Sequence, residues 1–440
     1  MKKFFTCPFF AIILCGLVFG LYLPPSFGQG QPTPEVVYSS TIHSIKLYKK
    51  GDQVVFPVVR LGNAEQFELH FDDLQNSPKN YFYTFILCNS DWTRTNLSQM
   101  DYVKGFTQNR INQYRASSAT FTRYFHYSAL LPDKNCMPSR SGNYLLLVFQ
   151  NGDTSKPIFS RRFLVLDEKA TVAAEARQPF NQQNFRSHQK IVTKVDIRAL
   201  DVYNPAQQLK VVVMQNHRWD MVQEGANPTF IRGKIYEYSA EDKFVFEAGK
   251  EWRWLDLRSL RLQSDRVASV DYNPNSYDVY VRPDTVRSSM RYLYYNDLNG
   301  RYFIENMENV NPWWQSDYAN VHFTFLPNDP NAFKNQRIFL YGELTSYELK
   351  NDFAMEWNEN LQVYEKSLLL KNGYYNYIYV TQSINNPREL PRVMLTEGSN
   401  WEAENQYSVL VYYRAFGGRA DELVGYTEIN SLNFLSPNLR

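Results

Sequence analysis

Alternation of period two constrains this chain more than any other feature. In Lys190–Leu200, Ile191, Thr193, Val195, Ile197 and Ala199 fall on one side, and Lys194, Asp196 and Arg198 fall on the other. In Tyr407–Arg414, Tyr407, Val409, Val411 and Tyr413 alternate with Ser408, Leu410, Tyr412 and Arg414. Successive strand side chains point to opposite faces, so this spacing builds strands, whereas a helix needs apolar residues three and four apart. No long stretch has the helical spacing. Aromatic residues make up 16% of the chain, and Tyr and Phe favour pleated, half-buried surface. Many short strands separated by turn signals predict sandwiches. An outer-membrane barrel would show evenly spaced strands of about ten residues with a lipid-facing apolar side. The strands here are shorter, uneven in spacing and charged on many second faces.

At 440 residues the chain is long enough for several domains, each with its own core. The expectation is an all-β protein of three immunoglobulin-like β-sandwich domains in series after a signal peptide. Lys2 and Lys3, the apolar run Phe9–Leu23, and small Ser26 and Gly28 before Gln29 make residues 1–28 a secretory signal. The first sandwich then takes 29–167, up to polar Asp167-Glu168-Lys169. The second takes 168–284, up to the linker Arg282-Pro283-Asp284-Thr285, and the third takes 285–440.

Export also settles the charge and the cysteines. The chain carries 47 Lys and Arg against 45 Asp and Glu, and the excess leaves with Lys2 and Lys3. A balanced mature chain offers no bulk charge for a polyanion, so no nucleic-acid partner is expected. Cys7 and Cys15 leave as well. Cys88 and Cys136 remain in an oxidising compartment, as a candidate disulfide or as two separate thiols, a choice that depends on whether their Cα atoms approach.

The search for chemistry returns little. The six His (43, 70, 126, 188, 217 and 322) are scattered, with no pair at metal-ligand spacing. There is no P-loop, no dinucleotide-binding glycine pattern and no nucleophile elbow. The oxygen-rich Asn296-Asp297-Leu298-Asn299-Gly300 lacks the later acidic ligand of a calcium loop and reads as a hairpin turn. Glu402 and Glu404 would share one face of an extended segment, yet nothing builds a site around them, so solvated edges are the better reading. The chain is read as non-enzymatic, with no cofactor and no small-molecule substrate. Aromatic clusters say more. Tyr375, Tyr377 and Tyr379 line one strand face, opposite Tyr374, Asn376 and Ile378, and one of the two faces is expected to be wet. Glu251-Trp252-Arg253-Trp254 and Pro312-Trp313-Trp314 have the residue types of protein-binding surfaces.

A family resemblance follows from these residues. The tract Glu397-Gly398-Ser399-Asn400-Trp401-Glu402-Ala403-Glu404-Asn405-Gln406-Tyr407-Ser408-Val409-Leu410-Val411-Tyr412-Tyr413-Arg414, with Arg419-Ala420-Asp421-Glu422-Leu423-Val424-Gly425-Tyr426 after it, resembles the C-terminal signature of the type IX secretion system plug protein family. Cys88-Asn89-Ser90-Asp91-Trp92, Gly249-Lys250-Glu251-Trp252-Arg253-Trp254-Leu255-Asp256, Asp317-Tyr318-Ala319-Asn320-Val321-His322-Phe323 and Gly373-Tyr374-Tyr375-Asn376-Tyr377 support it upstream. The resemblance implies a periplasmic protein that binds a large outer-membrane β-barrel translocon and closes its periplasmic opening. Trp401, Asn405, Tyr412, Arg414, Arg419 and Asp421 are the partner-binding candidates, chosen by residue type within the tract. Asp284-Thr285-Val286 resembles the sequon for periplasmic O-glycosylation in Bacteroidota, with Thr285 as the acceptor. The alternative is a periplasmic carbohydrate-binding protein using the Tyr375 strand, Trp357 and Leu340-Tyr341-Gly342.

Overall fold

The computed structural model describes residues 35–75, 77–225 and 227–433. The signal peptide expected at 1–28 lies outside these residues. The described chain is built almost wholly from strands, as the alternation predicts, and its one α-helix is the single turn Pro205–Gln208.

The first sandwich packs a four-stranded sheet, containing Ile42–Lys49, Phe67–Asp73, Phe125–Leu131 and Gln113–Ala116, on a five-stranded one. In the latter, Gly142–Gln150 lies between Pro157–Leu166 and Tyr81–Cys88. Phe67, Leu69, Phe71, Phe85, Tyr144 and Phe163 are among the side chains filling the space between the sheets.

The other two sandwiches are nested, not serial. Strand Leu209–Gln215 pairs with Gln406–Tyr413, which pairs with Glu422–Asn430. The second core therefore joins Ile191, Val195, Val211 and Val213 to Tyr407, Val409, Val411 and Val424. The third sandwich is inserted between the two halves of the second. It holds Arg253–Asp256, Tyr318–Leu326, Gln336–Tyr341, Val363–Lys371 and Gly373–Ser383 around Val321, Phe323, Tyr375, Tyr377 and Tyr379. The boundaries 168–284 and 285–440 are corrected accordingly. Strand pairing is non-local, and a linear reading cannot tell that the last hairpin completes an earlier sheet.

The sandwiches share apolar contacts as well as chain. Cys88, Trp92, Leu145 and Leu164 from the first pack against Val212, Met214, Leu410, Tyr412 and Leu423 from the second. This explains why Tyr144-Leu145-Leu146-Leu147-Val148-Phe149 breaks the alternation, since both of its faces are covered. The candidate disulfide fails for the same reason. Cys136 belongs to the first core and Cys88 to the contact layer on the other side of the sheet, and no bond joins them.

Candidate interaction surface

The returning tract places its residues in three different settings. Asn405 is buried, and its amide is fully engaged. Its Oδ1 accepts from Asn216 Nδ2 at 2.7 Å and Gln215 Nε2 at 3.2 Å, while its Nδ2 donates to Ala248 O at 2.9 Å and Gln189 Oε1 at 3.1 Å. With every group satisfied internally it has nothing left for a partner.

Tyr412, Arg414 and Asp421 fasten the second sandwich to the first. Tyr412 OH donates to Asn143 Oδ1 at 2.7 Å. Asp421 Oδ2 accepts from Ser90 N at 2.9 Å and Ser90 Oγ at 2.8 Å. Arg414 Nε donates to Asp421 Oδ1 at 2.6 Å, and its second arm reaches Asn89 Oδ1 at 2.8 Å. Burial opposes ionisation of Asp421, but the Ser90 donors and the Arg414 guanidinium outweigh it and hold the carboxyl below its ordinary range. The tract thus meets the upstream Cys88–Trp92 segment within this chain.

Trp401 and Arg419 remain accessible. Trp401 lines a cavity of about 370 Å³ with Tyr292, Tyr294 and Leu432. Arg419 is exposed, bonds Asn96 O, and shares its turn with Phe416, which is 94% exposed. A second exposed apolar group, Phe230, Ile231 and Ile235, lies on the edge hairpin of the second sandwich. Thr285 is exposed, whereas Asp284 beside it points inward to Arg253, Arg266, Tyr377 and Tyr379.

Several sequence expectations change here. Tyr375, Tyr377 and Tyr379 are core, and the opposite face is covered too, Ile378 lying in a cluster with Trp252, Phe339 and Tyr341. The row that suggested a sugar platform is therefore not exposed. Trp252 is buried, Trp313 stacks on His70 of the first sandwich at 3.8 Å, and Arg115 lies over Trp314 at 4.6 Å. The Trp313-Trp314 cluster thus binds the third sandwich to the first, while Trp252 packs with Phe339, Tyr341 and Ile378 of the third. Glu402 and Glu404 do not pair, since Glu402 is exposed while Glu404 turns in to accept from Asn299 Nδ2 at 2.8 Å. A tight turn is present at Asn299-Gly300, with both residues at positive φ and Arg301 N donating to Leu298 O at 3.2 Å, but it joins no hairpin, since the strand after it, Tyr302–Ile304, pairs with Gly373–Ser383.

Buried charge went unseen in the sequence because its partners are distant along the chain. Arg253 makes a two-armed pair with Glu397, both contacts at 3.0 Å, and also reaches Asp284 at 2.8 Å. Arg287 adds a contact of 2.6 Å to Glu397. Where the inserted sandwich joins the second, Glu251, Asp297 and Glu404 come near one another. Burial, reinforced by the other two carboxylates, pushes Asp297 up to about 7 against the pull of two backbone N–H groups. A cleft of about 810 Å³ runs where all three sandwiches meet, and Glu343 in its lining pairs with the buried Lys46 at 2.7 Å.

Residues 42–167, coextensive with the first sandwich, match the family model described as "Type 9 secretion system plug protein 1st domain". Through this domain the chain is similar to the type 9 secretion system plug family. The match falls on the first sandwich, not on the C-terminal tract that carried the resemblance. The chain is also similar to a hypothetical protein from Parabacteroides merdae ATCC 43184 of known crystal structure. The two share 29% identity and a TM-score of 0.86, over 91% of this chain and all of that one. No curated protein matches.

Proposed function

We propose that the chain is a non-enzymatic periplasmic plug that binds a large outer-membrane β-barrel translocon and closes its periplasmic opening. The observation that carries this reading is the family match of the first sandwich. The architecture suits the task. A stopper must hold its shape while cargo moves beside it, and here three sandwiches are locked together by the nested strands, the Tyr412–Asn143 and Asp421–Ser90 bonds and the Lys46–Glu343 pair. The partner-facing groups of this reading are the accessible ones, Phe416 and Arg419 on one turn and Phe230, Ile231 and Ile235 on the edge hairpin. Exposed aromatic and Arg side chains are the types that dominate binding energy at protein interfaces.

A tagged chain extracted from native outer membranes should bring down a very large barrel protein. Cells lacking the chain should admit bulky solutes that wild-type cells exclude. Purification with no barrel under any mild detergent, together with an unchanged permeability barrier, would refute the proposal.

A further inference from the structure

The contact between the first and third sandwiches is built on two neutral imidazoles. Asp72 lies wholly buried at its centre. His126 Nδ1 is 2.7 Å from Asp72 Oδ1, so it donates there, and its Nε2 then accepts from His70 Nδ1 at 3.0 Å. From the third sandwich, Lys371 bonds Asp72 Oδ2, Tyr318 OH donates to that same oxygen at 2.6 Å, and Trp313 covers both rings, at 3.8 Å from His70 and 5.3 Å from His126. His43, a third imidazole from the same sheet, meets Tyr318 edge-on at 6.0 Å. We propose that this contact is a proton-operated latch, which opens when His70 and His126 take up protons.

The charges around the pair set the direction. Lys371 is buried within reach of both rings and repels a second cation. Arg115, on the strand beside His126, is turned away over Trp314. Asp317 is spent on the backbone of Phe121 and Thr122, and Asp73 on Lys79 and Tyr81. Asp72 favours a proton on either ring, through its bond to His126 and its charge near His70, but burial outweighs it. Glu68 is a second carboxylate beside His70. It stands 3.6 Å from Nε2, beyond hydrogen-bond length, and already accepts from Tyr48 OH at 2.7 Å. Burial is the largest influence on both rings and disfavours their charged forms, holding His70 near 2 and His126 below its ordinary value. Once the sandwiches part, each ring returns to solvent and to about 6.5. Protons therefore favour the open form: the contact holds above about pH 6.5 and weakens as pH falls through that value. Two protons taken up on opening lower the closed-to-open ratio about 100-fold between pH 7.5 and 5.5.

Amide hydrogen exchange on the full chain, normalised to intrinsic rates, reads this ratio directly. Ser118 N donates to Trp314 O at 2.9 Å and Thr122 N to Asp317 Oδ1 at 3.0 Å, both across the contact. Their protection should fall about 100-fold between the two pH values, while amides inside the first core, such as Leu146, keep theirs. In the H70N/H126N variant, where Asn keeps a donor near each Nδ1 but cannot titrate, the Ser118 and Thr122 protection should become flat with pH. Equal protection at both pH values in the wild type, tighter protection at pH 5.5, or the same fall in the variant each overturns the proposal. Should the variant not fold, NMR titration of the wild-type rings decides. Rings that stay neutral until the contact opens support the latch, and rings that titrate near 6.5 with protection unchanged refute it.

Discussion

Replacing Glu397 with Gln tests whether the buried ion cluster, and not only apolar packing, holds the inserted sandwich to its support. Glu397 is 1% exposed, accepts from Arg253 and Arg287 side chains and from Tyr379 N at 3.0 Å, and belongs to the returning tract. Burial opposes its charge, but the two guanidiniums prevail and hold it near 2, against an ordinary 4.5. A depression of that size amounts to about 3 kcal/mol at neutral pH. Glu397→Gln leaves Arg253 with Asp284 and strips Arg287 of its carboxylate, and breaking such a pair from one side costs about 3–5 kcal/mol. The two routes agree. Because the folded-state value is depressed, this stabilisation is present above the ordinary carboxylate range and is lost as pH falls from about 4.5 toward 2. The gap between wild type and E397Q should therefore shrink by about 2 kcal/mol between pH 7 and pH 3. Calorimetric or urea unfolding at both pH values measures it, followed through the transition that reports the third sandwich. A neutral-pH loss under about 1 kcal/mol would refute the reasoning, as would a gap that stays constant with pH.

Other outcomes follow from single contacts. Gly300 has φ +84, and a Cβ there would sit 2.7 Å from the Trp252 ring, so Gly300→Ala should cost about 2–4 kcal/mol by thermal unfolding. Tyr412→Phe leaves the buried Asn143 Oδ1 without its donor and should cost about 1–2 kcal/mol, raising hydrogen exchange along the first–second contact. Reductant should leave the melting temperature unchanged, since no bond joins Cys88 to Cys136. The F416S/R419E double variant, altered only on an exposed turn, should melt as wild type does and yet recover less barrel in the membrane pull-down. Intact mass of the exported protein reads Thr285, where a glycan should appear as added mass that Thr285→Ala removes.

Much of the fold was legible because strand alternation is a local property. Ile191, Val195, Val409 and Val411 are core where the spacing places them. Even the broken alternation at Tyr144–Phe149 had meaning, as a strand buried on both faces. The candidate surface was less legible. Residue type pointed to Asn405, Tyr412 and Asp421, but the groups suited to gripping a partner are equally suited to gripping another part of the same chain. Only burial separates the two uses, and it left Trp401, Arg419 and Arg414's exposed edge outside.

By itself the sequence determined the all-β class, the turn at Asn299-Gly300 and the resemblance to a secretion-system plug. These depend on spacing within a few residues or on a linear tract. The tertiary structure alone decided that the third sandwich is inserted in the second, that Cys88 and Cys136 occupy opposite sides of a sheet, and that Asp72, His126 and Lys371 meet. Each of those joins residues far apart in the chain, where pairing is chosen by the burial of whole sheet faces and not by any local preference.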